Sequence, residues 1–233
     1  MSTIRPFKGI RPREDLAPAV AALPYDVYSS DEAREIVNAE PMSFLQIDRA
    51  ETLLPKGTNP YDDDVYQTAA ETLNRMIENG SFIQDGAPCY YLYALTMNGR
   101  TQTGLVGCAS VDDYRSGVIL KHENTLEAKE QDRIRHIDTC SAQTGPIFLA
   151  YRPNEKLSEI IHTVQTAPAL YDFTSSDGVR HEVWLIDEVS TIVDISEIFK
   201  SIPNLYIADG HHRAASAVKV GLKRRSEDPD FSG

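Results

Sequence analysis

Asp209-Gly210-His211-His212-Arg213 puts one carboxylate, two imidazoles and one guanidinium around a single glycine. An apolar, strand-like run over 205–208 leads in, and a helix-forming run over 214–220 leads out. Where a strand turns into a helix, unpaired backbone N–H groups and the positive end of the helix dipole favour an anion. Gly210 lets the backbone approach that anion closely. Arg213 and the two histidines add charge-assisted donors, and Asp209 can hold a metal ion or accept a proton. The natural occupant is a phosphate or pyrophosphate group. The blander reading of an adjacent histidine pair is that one ring packs or caps while the other is solvated. Zinc is a third reading, because Asp209, His211 and His212 carry ligand-type side chains. However, adjacent histidines seldom point at one ion, and no third His or Cys stands at a usual ligand spacing.

A second group begins at Lys121-His122-Glu123-Asn124-Thr125 and continues through Glu127, Lys129, Glu130, Asp132, Arg133 and His136. On a helix, Glu123, Glu127 and Glu130 share one face, and Lys129, Arg133 and His136 share another. Such a helix is commonly a solvated face laced with ion pairs. The chemical alternative makes Glu123 a general base, with Lys121, His122 or Arg133 facing phosphate oxygens. A third segment, Pro24-Tyr25-Asp26-Val27, reads as an ordered loop. Asp26 there either closes a turn on its own backbone or joins Tyr25 at a substrate. The chain contains no Gly-x-x-x-x-Gly-Lys-Ser/Thr loop, no protein-kinase loop set and no Gly-x-Ser-x-Gly elbow, so any phosphate chemistry uses a different cradle.

The elements that must hold these residues follow from turn and periodicity signals. Prolines at 6, 12, 18 and 24 predict extended segments in the first 28 residues. Ser29-Ser30-Asp31-Glu32 is a capping-box pattern opening a helix that stops before Pro41. Residues 44–47 read as a strand and 50–60 as a polar loop. Val65, Ala69, Leu73, Met76 and Ile77 recur at helical spacing over 62–78, and Gly80 supplies the stop. Asn98-Gly99 and Asp177-Gly178 each sit between strand-like runs, predicting two hairpins. Helices are predicted over 125–137, 155–165 and 195–200, and strands over 146–151 and 205–208. Residues 224–233 read as a polar connector. Hairpins mixed with helices, without strict alternation, predict an α+β fold with mixed, largely antiparallel sheets and packed helices. With 233 residues the chain can bury one large core or two modest ones. It reads as one α/β unit over 1–233, with a sub-boundary near 112–120.

A net charge of −12 argues against a nucleic-acid groove as the main surface. No run approaches the roughly 20 apolar residues of a membrane span, and the first residues lack a signal-peptide core. Cys89, Cys108 and Cys140 are scattered, with no Cys-x-x-Cys pair, as in a reducing compartment. The expectation is a cytoplasmic protein with a small-molecule substrate and no nucleic-acid or membrane partner.

Four stretches together resemble a widespread bacterial and archaeal family known as a domain of unknown function. They are Arg5-Pro6-Phe7 with Gly9-Ile10-Arg11-Pro12, then Pro24-Tyr25-Asp26-Val27, then His122-Glu123-Asn124-Thr125, and finally Tyr206 to Arg213. The last is also similar to the phosphate loop of the ParB/sulfiredoxin-like superfamily, which includes free serine kinases. The resemblance implies a ParB/sulfiredoxin-like phosphate-binding unit and a phosphotransferase making O-phosphoserine from L-serine. It implies pyrophosphate or ADP/ATP as donor, with Mg²⁺. It puts Asp209, His211, His212 and Arg213 at the phosphate and metal end, Asp209 being the metal ligand, with Gly210, Lys121, His122 and Arg133 beside the donor. Glu123 is the base, and Asp26 the second choice. Family members extend well past the Asp-Gly-His-His-Arg motif, which implies that this chain is the N-terminal part of a longer protein. Two rival functions remain: a non-catalytic nucleotide- or phosphate-binding regulatory module, and a metal-dependent hydrolase.

Overall fold

In the computed structural model, which describes residues 1–228, 230 and 231, Asn98 and Gly99 adopt φ values of 52° and 76°. Positive φ at both positions is what a tight two-residue hairpin turn requires. The turn joins β1 (Tyr90–Met97) to β2 (Arg100–Val106). The second hairpin joins β3 (Tyr171–Thr174) to β4 (Arg180–Ile186), with Gly178 at φ 82°. The four strands form one antiparallel sheet in the order β2-β1-β4-β3.

The chain divides into two units. The first comprises Met1–Pro18, Phe82–Leu120 and Ala150–Leu205, and contains this sheet. Tyr90, Leu92 and Ala94 of β1 and Trp184 and Ile186 of β4 are buried, as are Leu157, Ile195 and Phe199 of its helices. Each Leu, Ile or Phe side chain so removed from water contributes roughly 1.5–3 kcal/mol. Arg11 ties the N-terminal segment down by a two-pronged contact with Asp85, at 2.9 and 3.0 Å, and a third bond to the Tyr171 hydroxyl.

The second unit comprises Ala19–Ser81, Lys121–Leu149 and Tyr206–Gly233. Its main helices are α1 (Ser30–Ala39), α2 (Asp63–Glu78), α3 (Glu127–Cys140) and α4 (His211–Glu227). The capping box at Ser29 and Glu32 is present on α1. Val65, Ala69, Leu73 and Met76 form the buried stripe of α2. Helix α3 packs against both α2 and α4. Strand β5 (Leu205–Asp209) runs directly into α4.

The α+β class and the mostly antiparallel sheets hold, and several local expectations do not. Residues 44–47 are not a strand: Leu45–Asp48 is a helical turn in which Leu45, Gln46 and Ile47 are all buried. A short apolar run fits a buried turn as well as a strand. The expected loop at 50–60 opens with a buried 3-10 turn, Ala50–Leu53. The expected connector begins too early, because Arg224–Glu227 are the last turn of α4; Pro229, Ser232 and Gly233 lie outside the described residues. In the proline-rich start, one helical turn, Ala17–Val20, accommodates Pro18 in its first turn, where the missing N–H has no intrahelical partner to lose. Among the described residues no helix is long and apolar enough to cross a membrane.

Candidate functional site

Gly210 sits at φ 88° between β5 and α4 and carries no side-chain cap. The first intrahelical bond runs from the Ala214 N–H to the Gly210 carbonyl, at 2.9 Å. The N–H groups of the preceding turn therefore lack intrahelical acceptors, and no acidic residue stands in that turn. Arg213 folds back over the junction. Its guanidinium donates to the Asp209 carboxylate and to the Pro146 carbonyl. Two glycines make room for it: a Cβ at Gly210 would stand 3.1 Å from the guanidinium carbon, and one at Gly145 3.0 Å from Cδ. His212 Nε2 accepts the Leu126 N–H at 3.1 Å, so its neutral ring carries the proton on Nδ1.

His211, the first residue of α4, is buried. Its Nδ1 lies 3.8 Å from Oε2 of Glu123, and His122 meets its ring edge-on at 4.3 Å between centroids. His122 Nε2 in turn lies 3.7 Å from Oε1 of Glu123. One ligand-type atom from each of the three residues falls within 4.8 Å of the others. Spacing in the sequence offered no third ligand beside the histidine pair. The fold supplies two, His122 and Glu123, beside His211 alone, whereas Asp209 stands apart, held by Arg213. His212 is likewise outside the trio, as the adjacency argument expected.

Helix α3 corrects the reading of a solvated charged face. Its buried stripe is Glu130, Arg133, His136 and Cys140, and each charged or polar member has a partner. Glu130 accepts from Thr125 and Lys219, which hold its carboxyl below the usual range against the opposing effect of burial. Arg133 bonds Asp132 at 2.8 Å, and its guanidinium carbon sits 4.0 Å above the Tyr25 ring centroid. Burial disfavours its charge, but Asp132 outweighs that and raises its pKa. Asp132 is held on its other oxygen by the Tyr66 hydroxyl at 2.8 Å. Burial and then Arg133 depress His136, whose Nε2–H donates to the Ile47 carbonyl at 3.1 Å. Glu123 precedes the helix, so it shares no helical face with Glu127 and Glu130.

Tyr25, Arg133 and Arg213 line one small pocket with Asp48, His136, Thr144 and Gly145. Burial raises the Tyr25 hydroxyl, opposed by Arg133. Asp26 is exposed on the 3-10 turn Tyr25–Val27, and Lys121 is exposed just before His122. Asp48, Thr144 and Gly145 escaped sequence reasoning. Asp48 accepts from Thr144 at 2.7 Å, a pairing set by tertiary packing, and its segment reads as a strand end. The Gly145-Pro146 turn dipeptide was the one available signal.

No curated protein and no solved structure matches the chain. A family model described as "Protein of unknown function (DUF1015)" matches residues 4–233. With nearly its whole length inside that match, the chain belongs to this family of unknown function.

Proposed function

We propose that this protein transfers a phosphoryl group to the hydroxyl of a small acceptor, converting free L-serine to O-phosphoserine. The observation that carries the reading is a grouping within one unit. An uncapped helix N-terminus, two guanidiniums on one pocket and an exposed carboxylate beside the first residue of that helix belong together. A loose phosphoryl-transfer transition state needs little from the protein beyond positioned cations and hydrogen-bond donors. The first-turn N–H groups of α4, Arg213, Arg133 and His212 would hold the phosphates of pyrophosphate, ADP or ATP, with Lys121 and His122 adding charge. Glu123, with 59% of its side chain exposed, takes the acceptor proton as the hydroxyl oxygen bonds to the terminal phosphorus. The bond from that phosphorus to its bridging oxygen breaks, releasing phosphate when the donor is pyrophosphate. Tyr25 and Asp26 border the acceptor. Mg²⁺ supplies charge neutralisation on the donor phosphates and takes oxygen ligands. The exposed carboxylate of Asp209, already paired with Arg213, is the oxygen ligand offered to it.

The test is an O-phosphoserine assay with each donor, alongside calorimetry of donor binding. Glu123→Gln is expected to lose turnover while retaining donor binding, and Arg213→Ala to lose donor binding. Normal turnover by Glu123→Gln would remove the base assignment. Tight donor binding with no product from the unmodified chain would replace the enzyme by a phosphate-binding module.

A further inference from the structure

We infer that His122, Glu123 and His211 form a binding site for a borderline divalent cation of the Zn²⁺, Co²⁺ or Fe²⁺ type. The inference goes beyond phosphoryl transfer and does not rest on it. Three observations carry it. First, two imidazoles and one carboxylate from distant parts of the chain present ligand atoms within 4.8 Å of one another. Second, the carboxylate faces a nitrogen of each ring, Oε1 at 3.7 Å from His122 Nε2 and Oε2 at 3.8 Å from His211 Nδ1. Bonds of about 2.0–2.2 Å to a tetrahedral ion set its ligand atoms roughly 3.3 Å apart, so each of these two nitrogen–oxygen separations must shorten by roughly half an ångström. Third, the His211 ring is buried, and its Nε2 has no hydrogen-bond partner among the described residues. With Nε2 walled off inside the protein, the nitrogen of His211 that can take a ligand is Nδ1, the one facing Glu123.

The ligand set selects the metal class. Imidazole nitrogens favour zinc, cobalt and iron, whereas Mg²⁺ takes oxygen ligands and keeps its waters. Three protein ligands leave a coordination position open, as in catalytic rather than structural sites. His211 is the first residue of α4, so the site adjoins a helix N-terminus, where an anion is also favoured. A coordinated Glu123 is no longer a free base, so a bound ion of this type would slow any transfer that uses Glu123 as proton acceptor.

The test uses Co²⁺ added to the metal-stripped full chain, followed by visible absorption and equilibrium dialysis. Stoichiometric uptake with a ligand-field band is expected, resisting excess Mg²⁺. His122→Ala and Glu123→Gln replace exposed side chains and leave the core intact. Each is expected to weaken Co²⁺ by roughly tenfold or more, as loss of even an outer-shell partner does. His162→Ala, an exposed histidine elsewhere, should leave binding unchanged. Absence of a band, or a band that survives in both variants, overturns the site. Phosphoserine formation is scored separately, so loss of one reading leaves the other standing.

Discussion

Arg213 does two jobs with one planar fork. It clamps Asp209 and the Pro146 carbonyl, and it lines the pocket shared with Arg133 and Tyr25. A lysine would keep the charge but lose the fork. Arg213→Lys is therefore expected to weaken pyrophosphate binding about tenfold, equivalent to about 1.4 kcal/mol, as read by titration calorimetry. Unchanged affinity would reduce Arg213 to a structural clamp. The contrast with Arg133 is informative: that residue is fixed from behind by Asp132, itself held by Tyr66, so its orientation is set before any ligand arrives. The 209–213 cluster was legible in the sequence because its members are neighbours along the chain. The contact of His122 and Glu123 with His211 was not, since it depends on how the segment before α3 packs beside the start of α4. Nor was the Asp48–Thr144 pairing, for the same reason.

Among the elements, the β5–Gly210–α4 junction is the most constrained. Gly210 holds φ 88°, and a Cβ there would stand 3.1 Å from the Arg213 guanidinium. Left-handed backbone costs an L-residue roughly 1–2 kcal/mol, and the guanidinium must also move. Gly210→Ala is expected to lower unfolding free energy by about that amount in denaturant titration, and to weaken anion binding as well. A variant with full stability and full binding would remove the argument from backbone geometry. A smaller, independent effect belongs to α1. Ser29 accepts the Glu32 N–H while Glu32 accepts the Ser29 N–H, so Ser29→Ala is expected to cost about 1 kcal/mol without changing binding. Elements with a clean signal were readable: the Asn98-Gly99 hairpin, the capping box, and the apolar stripe of α2. Helix α3 was readable as a helix but not in its burial. Its inward face is Glu130, Arg133 and His136, and only the cations, hydroxyls and carbonyls of other segments make a polar face cheap to bury. Residues 44–47 failed because the run is too short to carry a period, and its one polar residue, Gln46, is buried with its neighbours.

For the whole molecule, the direction of its response to acid is set by the groups that bind protons less readily folded than unfolded. Carboxylates with a shifted pKa are all shifted down: Asp15, Glu32, Asp85, Glu130, Asp138, Asp172, Asp177 and Glu188. The causes are local. Arg11 and Tyr91 hold Asp85 down against burial, Lys223 and Arg224 do so for Asp138, and the hydroxyls and N–H groups of Ser190 and Thr191 bring Glu188 to about 2. A carboxyl that is more acidic folded than unfolded stabilises the fold above its unfolded pKa, and that contribution is lost as pH falls through the folded value. These groups therefore act below the ordinary values of 3.8 and 4.5. His136 and His181 are also depressed, chiefly by burial. Each takes up its proton at lower pH in the fold than in the unfolded chain, so their contribution starts to fall earlier, below 6.5. Acid destabilisation is thus expected in two stages, a histidine stage and then a carboxylate stage. Thermal melts at pH about 7, 5 and 3 should show Tm falling at each step. His136→Gln can still donate to the Ile47 carbonyl but cannot take up a proton. In that variant the loss between the first two pH values should shrink, while the loss between the last two persists. A Tm that is flat down to pH about 5 in the unmodified chain, or a first step unchanged by His136→Gln, would show that His136 is not what links folding to protons in that range.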